Sequence, residues 1–450
     1  MDAVTQPPLS SRVKILTPAR LAIWAGFALV LIIAPFALPG SLALTVLSQI
    51  GYLIIICLSY NILLGQGGML SFGHAVYTGL GSLIAVHIIN FSANSGAHGL
   101  PAVPLVLVPL VGGVTSALFA VLLGYVSTKK AGTTFAMITL GIGELVASMS
   151  LMFPGFFGGD GGISTNRVYG GPLLGIPGLD FGSDRQVYYL IAAYCFICTL
   201  AMFAFTGTPL GRILNAVRDN PERVEFIGYN TRRVRYFAFI IAGFFAGIGG
   251  ALAAISIEMF NASDSLNMVR SGSFLLFTFL GGAGFFFGPI IGAVLLVFAS
   301  TMLSQLTKAW LLYLGLVFVY MVMFAPGGIA SLIVANLRVA RARKMARLAL
   351  PYFVLVLTTL MFAIGAAALV EMIYHLQLDA ALGSKLNFLG SQLDTSLVEN
   401  WVGAALLLVV GLVLFMLGRK YFGRVWNDLQ EEIEAETMRH EAAAAMEVAQ

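Results

Sequence analysis

Charge is what this chain has least of. Its 450 residues carry 25 basic and 21 acidic side chains, 10% of the whole, against roughly 25% in soluble domains. With 59% of residues hydrophobic and a mean hydropathy of +0.91, there is too little polar surface to cover a globule, and a soluble fold is excluded. Cysteine is also sparse. Cys57, Cys195 and Cys198 all fall inside apolar runs, and the CxxC of the last two has no second pair to complete a metal or redox site. No GxxxxGK[ST] phosphate cradle, no HExxH and no GxSxG occurs, so the chain carries neither its own ATPase motif nor a recognisable hydrolase motif.

What remains is apolar length. Runs near 21–39, 42–64, 69–90, 101–126, 133–153 and 187–205 are followed by 236–258, 266–302, 309–325, 350–371 and 401–417. Runs of about 20 residues fit helices crossing a bilayer, where every backbone polar group must be satisfied within the segment. The sequence therefore reads as an all-α polytopic membrane protein. The stretch Leu21 to Leu38, behind Arg12, Lys14 and Arg20, is longer than a signal-peptide core and reads as a retained first helix. The run 266–302 would reach roughly 55 Å as one helix, against a hydrocarbon core of about 30 Å. Gly281, Gly282, Gly284, Gly288 and Pro289 mark where it should break into a re-entrant or broken helix pair.

Counting that run as two passes gives about twelve segments, ten in the core and two C-terminal, with both termini inside. It also returns Lys129, Lys130, the arginines of 206–236, the basic cluster 338–347 and Arg419 to Arg424 to one side of the membrane, as the positive-inside rule expects. A second glycine-rich break, GQGGMLSFGHAVYTG, occupies 65–79. Its polar members Gln66, Ser71, His74 and Tyr77 are candidates for lining a pathway or for helix–helix hydrogen bonding. Ser71 with His74 does not read as a nucleophile pair. Glu144, an ionisable residue in mid-span, is a further path candidate.

Between 206 and 236 the chain is more than a connector. Thr208-Pro209 and Asn220-Pro221 are two N-cap and first-turn proline pairs, Glu222 suits a helix N-terminus and Gly228 a C-terminus. Leu210, Ile213, Leu214 and Val217 fall on one face, with Arg212, Arg218, Asp219, Glu222 and Arg223 around the rest. A short, capped, charged helix pair suits docking to a soluble partner.

These stretches, with AGTTFAMITLGIGEL at 131–145, GGDGGIS at 158–164, TPLGRILNAVRDNPERVEFIGYNTRRVRYFAFIIAGFFAGIGGALAA at 208–254, GGAGFFFGPIIGA at 281–293 and LGLVFVYMVMFAPGGIA at 314–330, resemble permease subunits of ABC importers for branched-chain amino acids. The resemblance covers about residues 20–335. It implies an importer of two permease subunits, two cytoplasmic ATP-binding subunits and an external substrate-binding protein, in a bacterial inner membrane. It also implies that Gly211, Arg212, Arg218, Asp219, Asn220, Glu222, Arg223 and Gly228 belong to the helix that docks on the ATPase. The loop 158–164 is then a candidate contact for the binding protein.

The expected organisation is a cytoplasmic N-terminus at 1–20, a permease core at 21–335 and an extension with two further spans at 336–418. A charged cytoplasmic tail helix follows at 419–450, its Leu429, Ile433 and Met438 set among glutamates, and nothing after about residue 335 matches the family pattern. The expected function is translocation of branched-chain or related small amino acids by a non-enzymatic subunit without cofactor, metal or nucleic-acid partner. A permease for urea or short amides, or an ion-driven carrier acting without an ATPase, are the alternatives.

Overall fold

A computed structural model describes residues 18–94, 103–168, 180–307, 309–325, 327–342, 344–378, 384–388 and 391–449. Among them the chain is helical apart from short turns and two small antiparallel ribbons. Among the described residues, nine helices are long and apolar enough to cross a membrane, or up to ten with one bent pair. The protein is an all-α, multi-pass membrane protein.

The described residues group into two compact units, those within 1–298 and 326–330, and those within 299–325 and 331–450. The first holds α1 (Pro18–Ala37), α2 (Ser41–Asn61), α3 (His74–Ala93), α4 (Val108–Ser127), α5 (Thr133–Met152) and α6 (Asp184–Gly207). Two short helices follow, α7 (Pro209–Asp219) and α8 (Pro221–Phe226), then α9 (Thr231–Ile257), α10 (Met268–Gly281) and most of α11 (Gly288–Leu306). Helix α9 is the axis, with 83% of its most apolar window buried. It starts where the Asn230 side chain accepts from the Arg233 amide at 3.0 Å and stops at Glu258, whose φ is +57°. Along its middle it meets α3 backbone to backbone: a Cβ at Gly250 would strike the Thr78 carbonyl, and Ser82 donates to the Gly250 carbonyl at 2.6 Å. Such close approach is how membrane helices associate where no hydrophobic drive separates them from lipid.

The alternation of spans gives this unit two faces. One, the basic face, carries α7, α8 and the turn between α2 and α3. The opposite face carries residues 154–168 and 258–267, which are tied together by strands β1 (Ile163–Ser164) and β2 (Met259–Phe260) in the register Ile163 with Phe260. Arg167, its side chain 10% exposed, bonds Asp184 at 2.8 Å and stands 3.7 Å from Glu258.

The run 266–302 does break at its glycines. Helix α10 ends after 14 residues at Gly282, whose φ of +117° only glycine adopts readily, and α11 begins at Gly288. That interruption, with a described α1 of only 17 apolar residues and a 53° bend after the 15-residue α12 (Trp310–Phe324), is why fewer than the expected twelve segments qualify as full spans.

The second unit contains α12, most of α13 (Gly328–Arg341), α14 (Met345–Leu378) and α15 (Val398–Ala449). A ribbon of β3 (Lys385–Phe388) and β4 (Ser391–Asp394) connects the last two. Only 17% of the most apolar window is buried in each of α14 and α15, so most of their apolar surface faces outward. Near the C-terminal end of α14, Glu371 accepts from Tyr313 at 3.0 Å and from Thr307. The tail is not a separate helix: α15 runs unbroken for 52 residues. Its Leu429 is buried with Val339 and Leu348, while Glu432 pairs with Lys344 at 3.1 Å and Arg347 at 2.8 Å. Met438 is exposed.

Candidate functional site

The paired caps between the spans form as their chemistry requires. Thr208 Oγ1 accepts from the Gly211 amide at 3.2 Å and Asn220 Oδ1 from the Arg223 amide at 2.9 Å. Gly228 closes α8 at φ +93°. Leu214 and Val217 are buried beneath α7 and Val224 beneath α8, leaving Arg212, Asp219, Glu222 and Arg223 exposed.

Arg218 turns inward from this element. Its Nη1 donates to the Gly65 carbonyl at 2.5 Å, while Nε and Nη2 each meet Asp219 Oδ1 at 2.9 Å. Gly65 lies in a π-helical turn, Ile62–Gln66, that ends α2, so Arg218 supplies a donor and a positive charge where a helix terminus exposes carbonyls. Gly68, at φ +62°, packs on the same side chain: a Cβ there would lie 2.9 Å from Arg218 Cγ. Gly65 also abuts the second glycine segment, since a Cβ at that position would strike the Ala283 carbonyl oxygen. Gly282 in turn meets Gly327, Gly328 and Ala330, and Gly281 meets Gly288. The segments 65–68, 281–288 and 327–330, far apart in the chain, thus converge on one junction with α7 beneath it. Gly284 has open space around it and takes no part in this packing.

Gln66, Ser71, His74 and Tyr77 are all buried; Gln66 belongs to the π-helical turn of this junction, whereas Tyr77 packs on Phe239 of α9 with ring centroids 5.3 Å apart. Ser59 Oγ donates to the Ile56 carbonyl at 2.7 Å, so His74 Nε2, 2.9 Å away, serves as donor to it. Tyr60 donates to the Ser71 carbonyl at 2.8 Å. Gln66 Oε1, Ser71 Oγ, His74 Nδ1 and Asn61 Oδ1 are buried without a hydrogen-bond partner among the described residues, an unusual concentration for native structures. Glu144 is not brought to this group. It is exposed on the outward side of α5, although the same helix touches the junction through Thr139, whose Oγ1 accepts from the Phe72 amide at 3.2 Å.

Two features escaped the sequence. Phe226 and Ile227 are 90% and 70% exposed at the tip of α8, beside a groove of about 380 Å³ lined by Leu210, Ile213, Tyr229, Arg233 and Phe237. The signal was an apolar pair at a helix end with no span to bury it. At the opposite face a cavity of about 370 Å³ opens between α3, α9 and α10, with Asp264 and Arg270 among its lining residues. Here the only signal was Arg270 as the sole ionisable residue of the run 266–302. Among the described residues no group of three or more histidine, cysteine or acidic side chains is placed to hold a metal.

A protein-family profile described as the permease component of branched-chain amino acid transport systems matches residues 42–327. The chain is 27% identical over 299 residues to the high-affinity branched-chain amino acid transport system permease protein LivM of Escherichia coli (strain K12), a match covering 61% of this chain and 67% of that protein. Against LivM of Salmonella typhimurium it is 29% identical over 296 residues, with the same coverage. A shorter match, 26% over 121 residues, covers 24% of this chain and 35% of the ribose import permease protein RbsC of Haemophilus influenzae. No solved structure matches.

Proposed function

The chain belongs to the branched-chain amino acid transport permease family, and from that premise we propose that it is one membrane subunit of an ATP-driven importer. It translocates branched-chain or related small amino acids that an external binding protein delivers. One ATP-binding subunit docks on α7 and α8, and a second permease subunit with a second ATP-binding subunit completes the importer. The basic face is cytoplasmic in a bacterial inner membrane, with both termini on that side.

The observation that carries this reading is the Arg218 bond to Gly65. A docking helix that merely lay on the membrane face would have no need of a guanidinium reaching into the end of a spanning helix. Closure of the ATPases pushes on α7. Arg218 passes the displacement to the π-helical end of α2, and the backbone contact of Gly65 with Ala283 passes it to the break between α10 and α11. Irregular backbone of this kind is tolerated at membrane depth where it is surrounded by protein or lines a cavity. The unpartnered Gln66, Ser71 and His74 atoms beside it supply polar groups that a rearranged junction can present to a passing solute.

The test is uptake in proteoliposomes containing the assembled complex and the binding protein. Leucine accumulation that requires internal ATP and stops on Arg218→Glu supports the reading. Accumulation driven by an ion gradient by this chain alone, without ATP, overturns it in favour of a secondary carrier.

A further inference from the structure

The opposite-face cavity contains a feature that the coupling mechanism does not use. Arg270 is the only ionisable residue in the run 266–302 and is only partly exposed. An ionisable side chain in such a setting ordinarily has an anionic partner. Its guanidinium stands over the Phe274 ring, 5.8 Å from the centroid, and it makes no ion pair with a carboxylate among the described residues. Asp264 lines the same cavity and is likewise unpaired among them. The local polar network is made by their neighbours: Asn261 caps the turn holding Asp264 by accepting from Ser263 N at 3.0 Å, and Asn267 accepts from the Arg270 amide at 2.8 Å. The loop and the start of α10 are thereby fixed while both charged ends stay uncommitted.

We propose that this cavity is a binding site for a zwitterionic α-amino acid, Arg270 receiving the carboxylate and Asp264 the ammonium group. The proposal rests on the reading of the chain as an amino-acid permease and adds to it the place where the solute's charged groups are held. Arginine presents a planar fork that matches a carboxylate, and opposite charges on one small cavity favour a ligand bearing both over a ligand bearing either. At about 370 Å³ the cavity is at the small end of the range of roughly 300–1,000 Å³ for ligand sites. Its remaining walls include Ile56, Ala254, Ile257 and Phe274, an apolar surface suited to a branched aliphatic side chain. Urea and short amides lack both charges and gain nothing from the pair.

The cavity is also linked to the junction. Arg270 sits near the start of α10 and Gly282 follows its end, so one helix of 14 residues, about 20 Å long at 1.5 Å per residue, joins solute site and break. Ser271, next to Arg270, accepts from the Ala75 amide in the first turn of α3 at 3.0 Å.

The experiment places a reporter in the cavity of the full chain. Ser265 lines it, and the three native cysteines are buried, so modification of S265C by a maleimide reads occupancy. L-leucine is expected to slow modification, whereas isopentylamine and 4-methylpentanoate, each with one of the two charges, are not. R270Q and D264N in the S265C background are each expected to raise the leucine concentration needed for protection by roughly tenfold or more, the loss of one charge-assisted hydrogen bond of about 1.5–3 kcal/mol. Thermal melting of each variant matching that of S265C verifies that the fold is intact. Absence of leucine protection in S265C, equal protection by either single-charge analogue, or unchanged protection in R270Q and D264N overturns the site. ATP-dependent uptake by the assembled wild-type complex separates the two readings: uptake with no cavity protection removes only the site, and uptake without ATP removes the importer reading.

Discussion

Removing the Arg218 side chain should uncouple the transporter without unfolding it. Arg218 makes two kinds of contact, and their environments set their weights. The pair with Asp219 is on the surface, the two side chains being 37% and 67% exposed, and such pairs contribute about 0.2–1 kcal/mol. The bond to the Gly65 carbonyl is a charge-assisted hydrogen bond to the end of a buried helix, worth roughly 1.5–3 kcal/mol. If that contact transmits the closing motion, Arg218→Ala lowers the uptake rate by roughly 10- to 150-fold. Asp219→Asn, which leaves the guanidinium on Gly65, lowers it no more than about fivefold. Arg218→Lys restores little, since an ammonium cannot hold both partners in the same fork. The assay is leucine uptake and ATP hydrolysis by the same proteoliposomes, with hydrolysis expected to continue in Arg218→Ala after uptake is lost. Equal uptake by Arg218→Ala and wild type, or a larger loss in Asp219→Asn, would refute the transmission argument.

Gly65→Ala forces a methyl group against the Ala283 carbonyl oxygen and Asn61 Oδ1, and should cost about 1–3 kcal/mol, read as a lowered melting temperature in detergent. Gly284→Ala, in open space, should melt within error of wild type. Phe226→Asp with Ile227→Asp changes residues 90% and 70% exposed, so melting should be unchanged while co-purification of ATP-binding subunits is lost. Asp394 in the β3–β4 ribbon accepts from the Ser396 hydroxyl at 2.6 Å and amide at 3.0 Å, and these bonds, the hydroxyl first, hold its carboxyl below the ordinary value. Because the folded value is the lower one, its contribution is complete above the ordinary carboxylate range near about 3.9 and is lost as pH falls through the depressed value. The protection of the amides at 385–388 and 391–394 against hydrogen exchange, relative to their intrinsic rates, should fall there in wild type, and Asp394→Asn should remove that pH step.

The sequence was most informative where one residue type has one physical use. Pro209 and Pro221 behind Thr208 and Asn220 located two helix starts that the hydrogen bonds reproduce, and the excessive length of 266–302 pointed to the cluster from Gly281 to Pro289, within which Gly282 has the positive φ. Contacts between distant segments were not legible. Nothing local to Gly65, Ala283 or Arg218 says that they meet, because each satisfies its own helix or turn first and only packing joins them. Glu144 illustrates the opposite limit: mid-span position drew attention to it, but the sequence does not say which way a helix face turns, and this one faces away from the buried polar group. Asp264 and Arg270 were passed over because the two charges at the edge of an apolar run resemble the ordinary boundary of a span. Only the cavity between α3, α9 and α10 distinguishes them.

The most direct test of the central claim is a photo-activated cross-linker placed at Ile227 in the full-length chain, irradiated in the native membrane, with the adduct identified by mass. The account predicts an adduct with an ATP-binding subunit that is lost on Phe226→Asp. Cross-linking that yields no ATP-binding subunit while the same membranes take up leucine would contradict it.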